Sequence, residues 1–320
     1  MTRWAKMGIQ GKKRPQRCPA LVLAGAMALS GCDALFGTSP EEYLSQGVDY
    51  YQEGELSSAA IQFRNVLQEE PDNAQARYYL GITELRTGDM GNALRDLERA
   101  QQLGHPVEQL ALPLTQARLA AGAHEDVLEL EEADALSQAE LAHFHSLRGR
   151  AALAMDNTER AKQEFGAALS ADPGSARARF GQVLLAEVED NQQRMREWIQ
   201  RTLSVDEEYT EAWRKLAGLE LAEGQDSEAE EALNNAIAAS GRPLPQDLYR
   251  RAMLQLRRGD VEGTREDAER LVRLAPEFAG SHYALGLVEL REGNVGEAQS
   301  RMELALSNND RFAPAHLLLG

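Results

Sequence analysis

The sequence predicts an all-α fold, a right-handed solenoid of antiparallel helical hairpins that repeat every 34 residues. Three observations predict it. Aromatic residues make up only 6 % of the chain, and the abundance of Ala, Leu, Glu, Gln and Arg is typical of many short helices. Turn-forming residues recur at a fixed spacing. Small residues recur at two further positions of the same period, and a period of this length indicates a solenoid.

A glycine or an aspartate stands at the expected turn between the two helices of each hairpin. The antiparallel connection needs a tight turn, and these residues tolerate its left-handed backbone. Successive turn residues are 34 apart except once, when they are 35 apart. The extra residue fits the connector 240–245, where two prolines interrupt the helical pattern. The turn residues are Gly54, Gly88, Gly122, Asp156, Asp190, Gly224, Gly259 and Gly293.

Mostly small residues occupy the place seven residues before each turn and the place five residues after it. Small side chains at both places predict that the two helices of a hairpin approach closely, while larger apolar residues four places further on fill the core. Before the turns stand Gly47, Gly81, Thr115, Gly149, Val183, Ala217, Ala252 and Gly286. After them stand Ala59, Ala93, Val127, Ala161, Met195, Ala229, Thr264 and Ala298.

This pattern resembles the tetratricopeptide repeat, which implies an array over residues 40–320 with eight units and a ninth that is cut short. Unit 108–141 departs most, because Pro113 falls inside its first helix and Glu131 and Asp134 fall at core positions. Its second helix is expected to be short or displaced. The chain stops on an apolar run, whereas a solenoid needs a polar cap. We therefore expect a longer protein.

The N-terminus predicts a lipoprotein signal peptide over residues 1–31. A basic stretch is followed by the apolar segment 19–29, which is too short to span a bilayer. Leu29, Ser30 and Gly31 then precede Cys32, an arrangement that resembles the lipobox recognised by the lipoprotein signal peptidase. The resemblance implies lipidation of the Cys32 thiol, with 32–39 as a short linker. Asp33 resembles an inner-membrane retention signal, although the outer membrane stays an alternative.

Composition and motifs exclude several classes of function. The formal net charge is −17, and removal of residues 1–31 with their six basic side chains lowers it to −23, so we expect no nucleic-acid partner. Both cysteines, Cys18 and Cys32, lie at the N-terminus, which leaves no thiol for catalysis or zinc. The sequence contains no phosphate-binding loop, no metal-binding motif and no catalytic triad motif. We therefore expect that the protein is not an enzyme and binds no cofactor and no metal.

Polypeptide binding is the natural function of a solenoid groove lined by the first helix of each hairpin. The second, fifth, ninth and twelfth places of the repeat point into that groove. At the fifth and ninth places two apolar stretches flank a polar centre, which carries Arg150, Arg177 and Arg214. Large side chains there could anchor a partner or pack against neighbouring helices, and the sequence does not separate these alternatives. The candidate residues are Tyr78, Ile82, Phe180, Leu184, Arg214, Tyr249, Met253, Tyr283 and Leu287.

The first 140 residues after Cys32 resemble a narrower family, the tetratricopeptide lipoproteins of the PEP-CTERM/exosortase system in bacteria that make exopolysaccharide. The resemblance implies a cell-envelope scaffold, facing the periplasm, for exopolysaccharide export or PEP-CTERM protein sorting. Two alternatives stay open, an outer-membrane or pilus assembly lipoprotein and the N-terminal part of an enzyme whose catalytic domain follows residue 320. The resemblance rests on 63–68, Pro71, 76–81, 97–100, 103–106, 112–114 and Gly122.

Overall fold

The computed structural model describes residues 38–130, 136–241 and 243–319 as helices joined by short loops, with no β-strand among them. Consecutive helices pair as antiparallel hairpins, and each hairpin packs on the next. The first helices are α1 (Pro40–Glu53), α3 (Ala74–Thr87), α5 (Val107–Ala120), α7 (Gln138–Ala154), α9 (Ala176–Val188), α11 (Thr210–Ala222), α13 (Pro245–Arg258) and α15 (Ala279–Arg291). The second helices are α2 (Leu56–Glu69), α4 (Met90–Gln102), α6 (His124–Glu129), α8 (Thr158–Ala171), α10 (Gln192–Leu203), α12 (Asp226–Ala239), α14 (Val261–Leu274) and α16 (Val295–Asn308), and α17 (Ala313–Leu319) begins a ninth unit.

All eight predicted turn residues have a positive φ, including the two aspartates, Asp156 at 56° and Asp190 at 51°. Asp is one of the few residues other than Gly that tolerate this region. The residue after each turn donates its N–H to the carbonyl five residues earlier, at 2.8–2.9 Å in every hairpin. This bond closes a Schellman-type end on the first helix. The predicted 34-residue period is therefore confirmed by identical backbone geometry.

The two small-residue positions are buried throughout, which confirms that helices approach closely there. Phe165 shows how close the approach is. This ring is fully buried, and a Cβ on Gly149 of α7 would lie 2.5 Å from it. A Cβ on Gly181 of α9 would lie only 2.2 Å from the same ring. Phe165 therefore fills a slot between two consecutive first helices that exists only because both positions lack a side chain.

The third hairpin is irregular, as its sequence indicated. Its second helix, α6, has only six residues, and Glu131 and Asp134 lie outside the described residues. Pro113 sits inside α5 without ending that helix. The following helix, α7, begins at Gln138, four residues before the expected start of unit 142–175, because Ser137 and Glu140 form a capping box there.

A buried ionic cluster holds this irregular hairpin against the fourth one. Arg148 donates to the carbonyl of Leu130, at the end of α6, and its Nε lies 3.0 Å from Oε1 of Glu164. Burial raises the pKa of Glu164, but the hydrogen bond from His145 and the positive charge of Arg148 outweigh burial, so the pKa falls below its ordinary value. Glu164 is therefore ionised at neutral pH, and its charge is balanced where α6 is too short to form a normal core.

Exposed ion pairs join the last hairpins at equivalent positions. At the contacts between four successive pairs of hairpins, a residue of the second helix forms an ion pair with a residue near the end of the next first helix. At one of these junctions the acidic and basic partners are exchanged. At the three earlier junctions, the second-helix position is Ala60, Leu94 or Leu128. Exposed pairs of this kind contribute little individually. The pairs are Lys162–Glu189, Arg196–Glu223, Glu230–Arg258 and Arg265–Glu292.

No helix in the described part of the chain is long and apolar enough to cross a bilayer.

Replacement of Gly149 by Ala should destabilise the protein by about 1–3 kcal/mol, because the new methyl group overpacks against a fully buried ring. Gly166→Ala is the matched control. Gly166 lies in the interior of α8 with open space where its Cβ would be, so Ala there should be neutral or stabilising by up to about 1 kcal/mol. Urea unfolding of both variants checks this. Equal stabilities would contradict the close approach of α7 and α8.

Candidate functional site

The candidate site is the groove, by which we mean the side of the first helices that carries repeat positions two, five and nine. Consecutive first helices contact one another along much of the array. Two cavities open on this side at the middle of the chain. Because the repeat period is regular, equivalent residues of successive hairpins form rows along the groove.

The structure divides the nine predicted groove residues into two groups. Phe180 is 2 % exposed and Ile82 is 9 % exposed, so both serve the core and offer little surface to a partner. The other seven are half-buried, with one part of each side chain packed and another part open to solvent. These are Tyr78, Leu184, Arg214, Tyr249, Met253, Tyr283 and Leu287.

Aromatic residues at position five of the repeat are paired with a ring that precedes the next first helix. Tyr249 meets Phe278 edge-on with centroids 5.7 Å apart, and Tyr283 meets Phe312 in the same way at 5.3 Å. Tyr78 instead stacks on His105 at 4.3 Å. Sequence reasoning missed these partner rings. The signal was a further row at the repeat period, Tyr209, Leu244, Phe278 and Phe312.

Burial moves the pKa of the tyrosine hydroxyls of these pairs further above neutral pH. It raises the pKa of Tyr249 to about 12, with a smaller contribution from neighbouring Tyr283. Burial likewise raises the pKa of Tyr78 to about 12. At neutral pH these rings therefore offer apolar faces and uncharged hydroxyl groups, which suit apolar or polar uncharged groups of a partner.

The middle of the groove contains a cluster that we call the basic centre: His143, Arg150, Arg177, Tyr209 and Glu211. The first three and Tyr209 line a small cavity of about 60 Å³ on α7 and α9. Arg150 is paired with Glu211, whereas Arg177 is exposed and makes no ion pair or hydrogen bond among the described residues. In an acidic protein, this is a local excess of positive charge.

Neither His143 nor Tyr209 adds charge to the basic centre at neutral pH. Burial lowers the pKa of His143 to about 4, helped by the positive charges of Arg177 and Arg150. Burial also raises the pKa of Tyr209, as does the carboxylate of Glu211. The charge of the centre therefore comes from two arginines and one glutamate.

A second cavity of about 340 Å³ lies between α9, the turn into α10 with the start of that helix, α11 and α13. Gly218 lies on its wall, and a Cβ at this position would contact nothing within 4 Å. Arg214 is held at its rim by an ion pair with the buried Asp247, at 2.7 Å. Lys215 pairs with Glu187 across the cavity, and Arg250 is exposed. The absence of a side chain at Gly218 gives a partner's side chain room to enter.

Nothing in the described residues is arranged for metal binding, since no three His, Asp or Glu side chains converge. Leu29, Ser30, Gly31 and Cys32 lie outside the described residues. The lipidation site therefore stays a prediction of the sequence.

The imidazole of His143 should titrate near pH 4. Because the unfolded chain binds this proton with an ordinary pKa of about 6.5, stability should fall as the pH drops from about 6.5 towards 4 and be unaffected by His143 above that window. Arg177→Gln should raise the pKa only in part, since burial is the larger cause. Proton–carbon NMR of the imidazole measures the pKa of His143 in the wild type and in Arg177→Gln. Arg95→Gln is the control, because Arg95 lies on α4, two hairpins away from His143. A wild-type midpoint above pH 6 would contradict the burial of this ring.

Comparison with known proteins gives one family and several similar folds. The sequence profile described as "Tetratricopeptide repeat" matches residues 44–104, 146–204 and 249–311, together more than half of the chain. No curated protein sequence matches significantly.

Three solved structures are similar to this chain to different degrees. Yeast Tom70 is 17 % identical with a TM-score of 0.57, and the match covers 91 % of this chain and 64 % of that one. A monomeric mutant of IFIT1 with Gppp-AAAA is 15 % identical with a TM-score of 0.52, covering 83 % and 71 %. A tetratricopeptide repeat protein from Parabacteroides merdae is 20 % identical with a TM-score of 0.40, covering 88 % and 98 %. At these identities the first two show a shared solenoid fold and nothing about ligands.

Proposed function

Because the chain belongs to the tetratricopeptide repeat family, we propose that it is a non-enzymatic scaffold that binds polypeptide partners in its groove. The observations that support this most directly are the half-exposed tyrosines at repeat position five of the second, seventh and eighth hairpins, each packed on a neighbouring ring. Each pair is held in place by its partner ring, so little conformational freedom is lost when a partner covers it. Aromatic side chains held in this way are typical binding hot spots.

The proposal places the protein in the bacterial cell envelope, lipid-anchored through Cys32 and facing the periplasm. Its support is the order of basic stretch, apolar segment and Leu29-Ser30-Gly31-Cys32 in the sequence. Two or more acyl chains would anchor the protein stably, since each buried methylene contributes about 0.8 kcal/mol. The described structure begins at residue 38, six residues after Cys32, so the first hairpin would lie near the membrane surface. Asp33 favours the inner membrane.

A finer part of the proposal is a role in exopolysaccharide export or PEP-CTERM protein sorting. Its support is the resemblance of the first 140 residues after Cys32 to lipoproteins of that system, which share the atypical third unit. The six-residue α6 shows that this unit departs from the regular hairpin. A deletion strain tests this role directly: secreted polysaccharide and surface PEP-CTERM proteins should fall, and wild-type levels of both would contradict it.

Cys32→Ser should give an unlipidated, uncleaved precursor, since the thiol is the acceptor of the lipid. Metabolic labelling with an alkyne-bearing fatty acid, followed by mass measurement of the protein, checks both parts. Cys18→Ser is the matched control and should be labelled and processed as the wild type. Labelling that persisted in Cys32→Ser would exclude this residue as the anchor.

The double change Tyr249→Ala, Tyr283→Ala should reduce capture of envelope proteins by about tenfold, because two anchors are removed from the groove. It should also lower the melting temperature, since each ring packs on a phenylalanine. Quantitative pull-down beside a thermal melt measures both effects.

Leu271→Val separates binding from stability in that experiment. Leu271 is fully buried on α14, so the change lowers stability without touching the groove. It should leave capture intact at a temperature where both variants are folded. If the tyrosine variant captured partners as well as Leu271→Val does, the tyrosines would serve packing alone.

A further inference from the structure

One ion pair in the groove has an unusual span. Arg150 on α7 donates to both carboxylate oxygens of Glu211 on α11, at 3.2 and 3.0 Å. These helices belong to the fourth and sixth hairpins, so the pair reaches across α9 of the fifth hairpin. Every other ion pair among the described residues joins groups within one hairpin or in adjacent hairpins. We call the Arg150–Glu211 pair the clasp.

The ion pair of the clasp can be broken at little cost in free energy. Its side chains are 41 % and 40 % exposed, and exposed pairs of this kind contribute little to stability because water competes for both charges. Several other ion pairs in the array have a buried partner, such as Asp247 at 2 % exposure with Arg214. A carboxylate from another molecule could therefore replace Glu211 on Arg150 at small cost, whereas the buried pairs would resist exchange.

Arg177 supplies a second, unoccupied position for an anion. It is carried by α9, the helix that the clasp crosses, and lines the same small cavity as Arg150. It has no charged or hydrogen-bonding partner in the described structure. His143 and Tyr209 complete the wall as neutral groups, so they neither repel nor neutralise an incoming carboxylate. With Glu211 displaced, two guanidinium groups would face one anion.

We propose that the basic centre binds an acidic side chain of the partner polypeptide, and that Glu211 holds the place of that carboxylate in the free protein. This inference rests on the proposed function and names the chemistry of the partner. The acid belongs to a side chain rather than to a chain end, because aromatic pairs continue the groove on both sides, at Tyr78 in one direction and at Tyr249 and Tyr283 in the other. A segment that reaches both stretches passes through the centre.

The partner is therefore a polypeptide segment with apolar side chains on both sides of an aspartate or a glutamate. Such a segment is charge-complementary to the middle of the groove, where Arg150 and Arg177 lie. The rest of a chain with net charge −17 repels it. This gives the solenoid a register for its ligand, since apolar anchors alone would let an extended segment slide along the rows.

The test uses end-blocked, fluorescent twelve-residue peptides with leucines towards both ends and either Glu-Glu or Gln-Gln at the centre. Fluorescence polarisation with the full chain should show about fivefold tighter binding of the Glu peptide. Glu211→Gln should tighten binding of the Glu peptide further and leave the Gln peptide unchanged, because the internal competitor is gone. Arg150→Gln and Arg177→Gln should abolish the preference. Arg95→Gln, an exposed arginine of α4, is the charge-matched control and should retain it.

The outcomes separate this inference from the function on which it rests. If both peptides bind equally well and Tyr249→Ala, Tyr283→Ala weakens both, the groove binds polypeptide but the basic centre does not select acid. A third probe is the Glu peptide with a free C-terminus. If none of the three peptides binds the wild type or Glu211→Gln, both proposals fail. If the end-blocked peptides do not bind but the third peptide does, the groove binds polypeptide, the anion is a chain end and the side-chain assignment is wrong. Circular dichroism checks that each variant is folded.

Discussion

The close approach of helices at small residues, above all at glycines of the first helices, is the constraint on which this structure depends. Phe165 is wedged between Gly149 and Gly181, so it fixes not only the contact of α7 with α8 but also the contact of the fourth hairpin with the fifth. In the second hairpin Leu97 occupies the place of this phenylalanine and packs against Gly81 in the same way. A Cβ on Gly81 would lie 2.7 Å from the Cγ of Leu97. Once these contacts set the rotation of each helix, the same repeat positions face the groove in every unit.

The turns make this rotation repeatable. A left-handed residue ends each first helix, and the hydrogen bond that follows it has the same length in all eight hairpins. A solenoid of this kind is held together by contacts between neighbours, so its stability is distributed along the chain. The irregular third hairpin shows the tolerance of the arrangement, because Arg148 and Glu164 replace a missing stretch of apolar core with a buried, balanced pair of charges.

Most of the backbone could be predicted from the sequence, since period, turn residues and small positions are local patterns. The start of α7 at Gln138 was missed because a capping box at Ser137 and Glu140 competes with the repeat phase. The groove was harder to predict. The sequence pattern treats Tyr249 and Phe180 alike, because both occupy position five of the repeat. In the structure Tyr249 is half-exposed and Phe180 is buried, although each packs on a ring that precedes the next first helix.

The clasp could not be read from the sequence either, as Arg150 and Glu211 are 61 residues apart and belong to hairpins that are not consecutive. The stacking of three hairpins brings them together. The proposed function thus depends on two levels of structure. A local repeat places aromatic and basic residues on one side of each helix, and the stacking of hairpins aligns them into a groove with an apolar, basic and apolar order.

Cysteine scanning measures most directly whether the repeat phase places position nine in the groove. In a background with Cys18 and Cys32 changed to serine, no other thiol remains. Single cysteines at Arg150, Leu184 and Gly218 should react rapidly with a maleimide, since these positions are partly or fully exposed. Cysteines at the following residues, Ala151, Leu185 and Leu219, should react many times more slowly, because each is at most 4 % exposed. Equal rates at the two positions, or a pattern that changes from one hairpin to the next, would contradict a groove fixed by the 34-residue phase.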